Sequence, residues 1–132
     1  MKKRVAIGAA VVAFLACICL SFSLGLRQGQ RDAEDLQAQR CQALLSFSVD
    51  RLGELKAQHN PEVAAALTSH VYAAYWCAQD AALSSALHDL WNALVFDGEN
   101  LSGREDRLIA ALEAQNAQGV KDLAREMRAS GE

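Results

Sequence analysis

VAIGAAVVAFLACICLSFSLGL, residues 5–26, is a run of 22 residues without a charge. As a helix rising about 1.5 Å per residue it is roughly 33 Å long, enough to cross a hydrocarbon core of about 30 Å. Lys2, Lys3 and Arg4 precede the run. Arg27 and Arg31 come after it more sparsely and are soon offset by Asp32, Glu34 and Asp35. This charge bias keeps the first residues in the cytoplasm and exports the rest of the chain beyond the run. The expected organisation is a cytoplasmic N-terminus over 1–4, a transmembrane anchor over 5–26 and an extracytoplasmic helical domain over 27–132.

A cleaved signal peptide has the same charged start and apolar stretch, and would yield a secreted helical protein instead. A lipoprotein signal at Cys17 fits poorly, because Ile18, Cys19 and Leu20 continue the apolar run past the cleavage point. All three readings export the remainder. After residue 26 the chain holds all 16 Asp and Glu against ten Lys and Arg, a net −6. That balance argues against nucleic acid as a partner and against a polybasic lipid-binding surface.

The exported part reads as helix throughout. It is rich in Ala, Leu, Gln, Glu and Arg, with a single Pro at position 61 and no β-branched runs. A first helix is expected from about residue 30 to His59, with Cys41, Leu45, Ser48, Leu52 and Leu55 at steps of four and three. Asn60-Pro61 then marks a boundary, Asn as N-cap and Pro at the first helical position. A second helix from Pro61 could run to Phe96 on the stripe Val63, Leu67, His70, Ala74, Cys77 and Ala81. The later stripe Leu83, Leu87, Leu90 and Leu94 is offset by about one residue, which suggests two neighbours or a break near Ser84-Ser85. Asp97-Gly98 reads as a stop, with Gly in the left-handed conformation. Ser102 and Glu105 have capping-box spacing for a third helix, which Asn116 and Gly119 interrupt. The fold class expected is all-α: a single transmembrane helix followed by an antiparallel helical hairpin or three-helix bundle.

Cys41 and Cys77 lie 18 positions either side of residue 59. A chain reversal at His59-Asn60 would bring them together about 27 Å from the turn. It would also bring Leu67 opposite Leu52 and His70 opposite Ser48. Export supplies an oxidising compartment, so a Cys41–Cys77 disulfide is expected. Ala38, Ala74, Ala78 and Ala81 would permit the close approach it needs. Cys17 and Cys19 fall inside the anchor, where packing is the default.

Ala9, Ala13, Cys17, Ser21 and Gly25 put a small residue at every fourth position of the anchor, a candidate transmembrane packing face. Tyr72, Tyr75 and Trp76 cluster at helical spacing, which usually means core. An unbroken second helix would bring Trp91, Leu94, Val95 and Phe96 back to the level of residues 22–27, as candidate membrane-interface contacts. His59, His70 and His88 are too scattered for a metal site. Carboxylate pairs such as Glu34-Asp35 and Glu105-Asp106 suit helix starts. No phosphate-binding Gly loop or nucleophile elbow is present.

No catalytic, cofactor or metal residue is therefore expected. The function expected is that of a membrane-anchored extracytoplasmic helical interaction or accessory protein. Its partners would be the lipid bilayer and either another membrane or envelope protein or a second copy. The alternative is a ligand-binding or sensory ectodomain, which would act through a partner because four cytoplasmic residues leave no room for an output domain. In layout alone, a short anchor followed by exported helices resembles the N-terminal part of some spore-germination and envelope proteins of Gram-positive bacteria. No residue is carried over from that likeness.

Overall fold

The computed structural model describes residues 2–131, with side chains from Val12 onward. Five α-helices account for most of these residues, and no strand occurs among them: α1 (Lys2–Ala57), α2 (Pro61–Cys77), α3 (Ala81–Asp97), α4 (Glu105–Glu113) and α5 (Ala117–Ala129). A short 3-10 turn, Gly98–Leu101, leads out of α3. Helix α1 continues without a break through Gly25 and Gly29, where the sequence suggests a boundary between anchor and first exported helix. The chain forms two compact units, Met1–Leu36 and Gln37–Glu132.

In the first unit every described large apolar side chain is exposed, Phe14 at 68% and Phe22 at 69% among them. Among the described residues this is the one helix long and apolar enough to cross a membrane, and none of its apolar window is buried. A membrane span and a signal sequence share that property. Two hydroxyls in the segment find partners within the helix: Ser21 Oγ donates to the Cys17 carbonyl and Ser23 Oγ to the Cys19 carbonyl, each at 2.8 Å. Such back-bonding leaves no hydroxyl proton unsatisfied in an apolar phase. The side chains of Lys2 to Arg4 and of Ala9 lie outside the described residues, as does Met1.

In the second unit the α1 stripe expected from the sequence is the buried one. Cys41, Leu45, Ser48, Leu52 and Leu55 are all in the interior. Ser48 is tolerated there because its Oγ donates to the Leu44 carbonyl at 2.8 Å. From α2 the core takes Leu67, Val71 and Ala74. From α3 it takes Leu83, Ala86, Leu87, Leu90, Ala93 and Leu94. The close backbone packings are α3 against α2, α3 against α5, and α4 against α5. Helix α3 is therefore the hub, and its small residues Ala86 and Ala93 allow that approach.

The helix boundaries come from capping chemistry. Asn60 Oδ1 accepts from the Glu62 amide at 2.9 Å with Pro61 between them, as the sequence indicates. The long second helix, by contrast, is divided: α2 ends at Cys77, and Asp80 Oδ1 accepts from the Leu83 amide at 2.7 Å to start α3. The one-residue offset between the two apolar stripes is the signal of this break, which falls just before the Ser84-Ser85 position expected for it. Ser84 Oγ instead donates to the Tyr75 carbonyl at 3.3 Å, tying the two helices across the turn.

Gly98 ends α3, but its φ of −58° is right-handed, so it is not the left-handed stop expected. The left-handed glycine is Gly103, at φ +83°, just ahead of α4. The Ser102–Glu105 capping box does not form, because the N-cap position of α4 is Arg104 and makes no side-chain capping bond. Asn116 does cap: its Oδ1 accepts from the Gly119 amide at 3.1 Å, and it divides α4 from α5.

Candidate functional site: an exposed aromatic face and a cysteine-lined cavity

The stripe Leu67, Val71 and Ala74 turns one face of α2 inward. Tyr72, Tyr75 and Trp76 lie to the side of that stripe, and from α3 His88 and Trp91 meet them. The result is a connected set of rings. Tyr72 and Trp91 have centroids 5.0 Å apart, Tyr75 and Trp76 5.0 Å, and Tyr75 and His88 5.2 Å. Tyr72 also meets Trp76 edge-on at 6.2 Å, and His88 meets Trp91 at 6.0 Å. These tilted and edge contacts suit the ring quadrupoles, so the cluster holds itself in place.

The core position that their spacing suggests holds only in part: Tyr75 and Trp91 pack against the core, and the others do not. Tyr72 is 40% exposed and Trp76 65% exposed, while Tyr75 and Trp91 are half-buried at their feet. Val95, one turn beyond Trp91, is exposed, and Phe96 next to it is 78% exposed. Of the four residues expected together at a membrane interface, Leu94 is a correction. It continues the Leu83, Leu87, Leu90 stripe into the core and is not available for contact. The register argument that groups those four also fails, since it needs an unbroken helix from Pro61 to Phe96.

The second feature is at the other expected site. Cys41 and Cys77 come to one cavity of about 250 Å³, which Ala38, Gln42, Asp80 and Gln115 also line. Both thiols are free, so the disulfide expected between them is not formed. The physical reason lies in the spacing. Helices α1 and α2 are not among the closely packed backbone pairs, whereas a disulfide needs Cα atoms within about 4.4–6.8 Å. The Gln37 side-chain amide donates to the Cys77 carbonyl at 3.2 Å. Burial pushes the Cys41 thiol above its ordinary pKa, and the neighbouring Cys77 adds to the shift. The thiol is therefore protonated at neutral pH and a weak nucleophile.

The remaining candidates have structural roles. His70 does lie beside the α1 seam, its ring tilted against Phe47 at 5.8 Å, but Ser48 bonds its own helix instead, and His70 Nδ1 makes no hydrogen bond. Among the described residues no three His, Cys, Asp or Glu side chains stand close enough to hold a metal ion. Asp106, expected as a helix-start charge, pairs with Lys56 at 2.7 Å. Glu126 on α5 takes both Arg107 nitrogens of α4 at 2.8 and 2.9 Å. That bond holds the Glu126 carboxyl below its usual range, with the nearby Arg107 and Arg104 charges adding to the effect. In the anchor, Ser21 and Gly25 border a shallow apolar depression that continues along Gly29 and Ala33. The small-residue face thus extends two steps further than the five positions evident in the sequence.

No family model, curated protein or solved structure matches this chain.

Proposed function

We propose that the protein is a membrane-anchored, extracytoplasmic helical accessory protein that docks onto another membrane or envelope protein through the aromatic face of α2 and α3. The observation that carries this reading is the exposure of Trp76 and Tyr72 in a ring cluster already fixed by its own contacts, with Val95 and Phe96 exposed further along α3. Tyr and Trp that are rigid before binding are good interface anchors, because little side-chain freedom is lost on contact. The anchor part of the reading is supported by the unburied apolar surface from Val12 to Leu26 and by the charge bias around it. The charge of residues 37–132 favours a basic partner: 13 carboxylates stand against eight cations, a net −5. Cations on such a partner would also pair well with the exposed ring faces. The antiparallel helical hairpin and the anchor's small-residue pairing face belong to the same proposal.

The test is site-specific photo-cross-linking of the full chain in its own membranes, with the probe at position 76 and a control probe at position 122 on α5. A discrete adduct with one other membrane or envelope protein, at 76 and not at 122, supports the reading. An adduct of doubled chain mass would assign the face to self-association instead. Lipid adducts alone would assign it to the bilayer surface, and equal labelling at both positions would remove the face as a docking site.

A further inference from the structure

Cys41 and Cys77 are far apart in sequence, yet they line one cavity of about 250 Å³. Cys41, on α1, is only 8% exposed. Cys77, the last residue of α2, is partly buried and packs against the core. The charge of Cys77 opposes ionisation of Cys41, so the two sulfurs are near enough to interact, while both thiols stay free. A cysteine that serves only as a small apolar filler sits in close-packed surroundings. Here two thiols from different helices share a cavity instead.

Two thiols at one cavity select a particular ligand chemistry. Thiolate sulfur is a soft donor that favours Cu(I), zinc and iron–sulfur clusters. A structural zinc takes four protein ligands, and an iron–sulfur cluster takes four cysteines. Among the described residues no group of three His, Cys, Asp or Glu is placed to hold a metal ion. Asp80 also lines the cavity, but its carboxylate is engaged with the Leu83 amide as the cap of α3. Gln42 and Gln115 bring only amide groups, whose oxygens are hard donors. Cu(I), a closed-shell ion, is satisfied by two thiolates in line. Its bridge is also longer than a disulfide. With metal–sulfur bonds of about 2.3 Å, as for zinc, the two sulfurs stand roughly 4.6 Å apart, against about 2.05 Å in a disulfide. Helices α1 and α2 are not closely packed backbone to backbone, which disfavours the short link and is compatible with the longer one. A cation between the sulfurs also reverses the repulsion that raises the Cys41 pKa.

We propose that Cys41 and Cys77 form a two-coordinate site for a soft monovalent metal ion of the Cu(I) class. Each sulfur gives its proton to solvent and makes one bond to the ion. No oxidation state changes, so each ion bound releases two protons. The ion ties α1 to the C-terminal end of α2, beside the turn from which α3 starts. This site goes beyond the docking reading and does not depend on the aromatic face.

The test uses the full chain in lipid nanodiscs without oxygen, with Cys17→Ala and Cys19→Ala to remove the anchor thiols. Cu(I) is supplied as its bicinchoninate complex, and transfer is read from the loss of that complex's colour. Uptake of one ion per chain is expected, and X-ray absorption at the copper edge is expected to show two sulfur neighbours. Ag(I) is expected to compete for the site, and Zn(II) is not. Cys41→Ser and Cys77→Ser are each expected to weaken binding at least about a hundredfold, the upper end for a change beyond the ligands themselves. Circular dichroism reports whether each variant keeps its fold, and the sulfur count on the unaltered pair decides the matter if one does not. Asp80→Asn, which can still cap α3, is expected to leave binding unchanged. No uptake, one ion shared between two chains, a sulfur count other than two, or undiminished binding in Cys77→Ser would each overturn the proposal.

Discussion

The two units of the chain treat the same kinds of side chain in opposite ways. Between Val12 and Leu26 the large apolar residues all stand exposed, whereas between Gln37 and Gly131 the leucines are almost all buried and the exposed apolar surface consists chiefly of aromatic rings. Helix propensity is similar in both, so secondary structure does not distinguish them. The difference lies in the placement of charge. The first stretch has none to turn toward water, while the helices of the second have polar faces that leave one stripe each for a core. On the proposed reading, exposed apolar surface has two meanings here: a solvent preference in the first unit and a local binding face in the second.

The sharpest way to break this comparison is to cut the same side chain in both units. Leu87→Ala, at a fully buried site on the hub helix, is expected to destabilise residues 37–132 by about 2–5 kcal/mol. Leu24→Ala is expected to leave their thermal unfolding unchanged, so equal losses in calorimetry would refute the division. Adding a charge tests the other side. Ile18→Arg is expected to cost roughly 2.5–3.5 kcal/mol of membrane insertion and to shift the chain toward the soluble fraction without altering the circular dichroism melt of the second unit.

Smaller effects probe how the second unit is delimited. Asp80→Ala removes the cap that separates α3 from α2 and is expected to cost about 1 kcal/mol, measured by urea unfolding. Asp80→Asn should cost less, and a loss larger than that of Leu87→Ala would mean that the turn, not the core, organises the unit. The smallest expected effect concerns pH. Because Arg107 lowers the Glu126 pKa, that carboxylate contributes stability at pH values above its unfolded pKa. The contribution is lost as pH falls through the lowered folded value. Glu126→Gln is expected to flatten only that acid limb of the stability curve. Cys41 acts with the opposite sign: its raised pKa favours the folded state below the ordinary thiol pKa and loses that effect as pH rises through the folded value. Cys41→Ser should remove the alkaline limb.

Several features governed by periodicity and capping are legible in the sequence alone, though the Ser102–Glu105 box is not among them. The charge-free run, the α1 stripe from Cys41 to Leu55 and the Asn60-Pro61 start all obey local rules and appear at those residues. The features that are not legible depend on three-dimensional neighbours. Spacing puts Tyr72, Tyr75 and Trp76 on a helix face, but only the packing of α3 decides that Leu67, Val71 and Ala74 face inward and Trp76 outward. Cys41 and Cys77 do line one cavity, yet both thiols are free, because spacing along the sequence fixes height along two helices and not the distance between them. Gly98 departs from expectation because a glycine after a helix can equally open a 3-10 turn, and the left-handed position moves to Gly103. The left-handed backbone at Gln115 has no sequence signal, since a glutamine in a glycine position looks like any polar loop residue.

Protease treatment of sealed, right-side-out membrane vesicles tests the central claim most directly. The account predicts that external protease digests residues 37–132 and leaves a membrane-protected fragment containing the 5–26 segment, seen by mass spectrometry of the washed membranes. Complete protection of the chain, or its release intact into the supernatant, would contradict it.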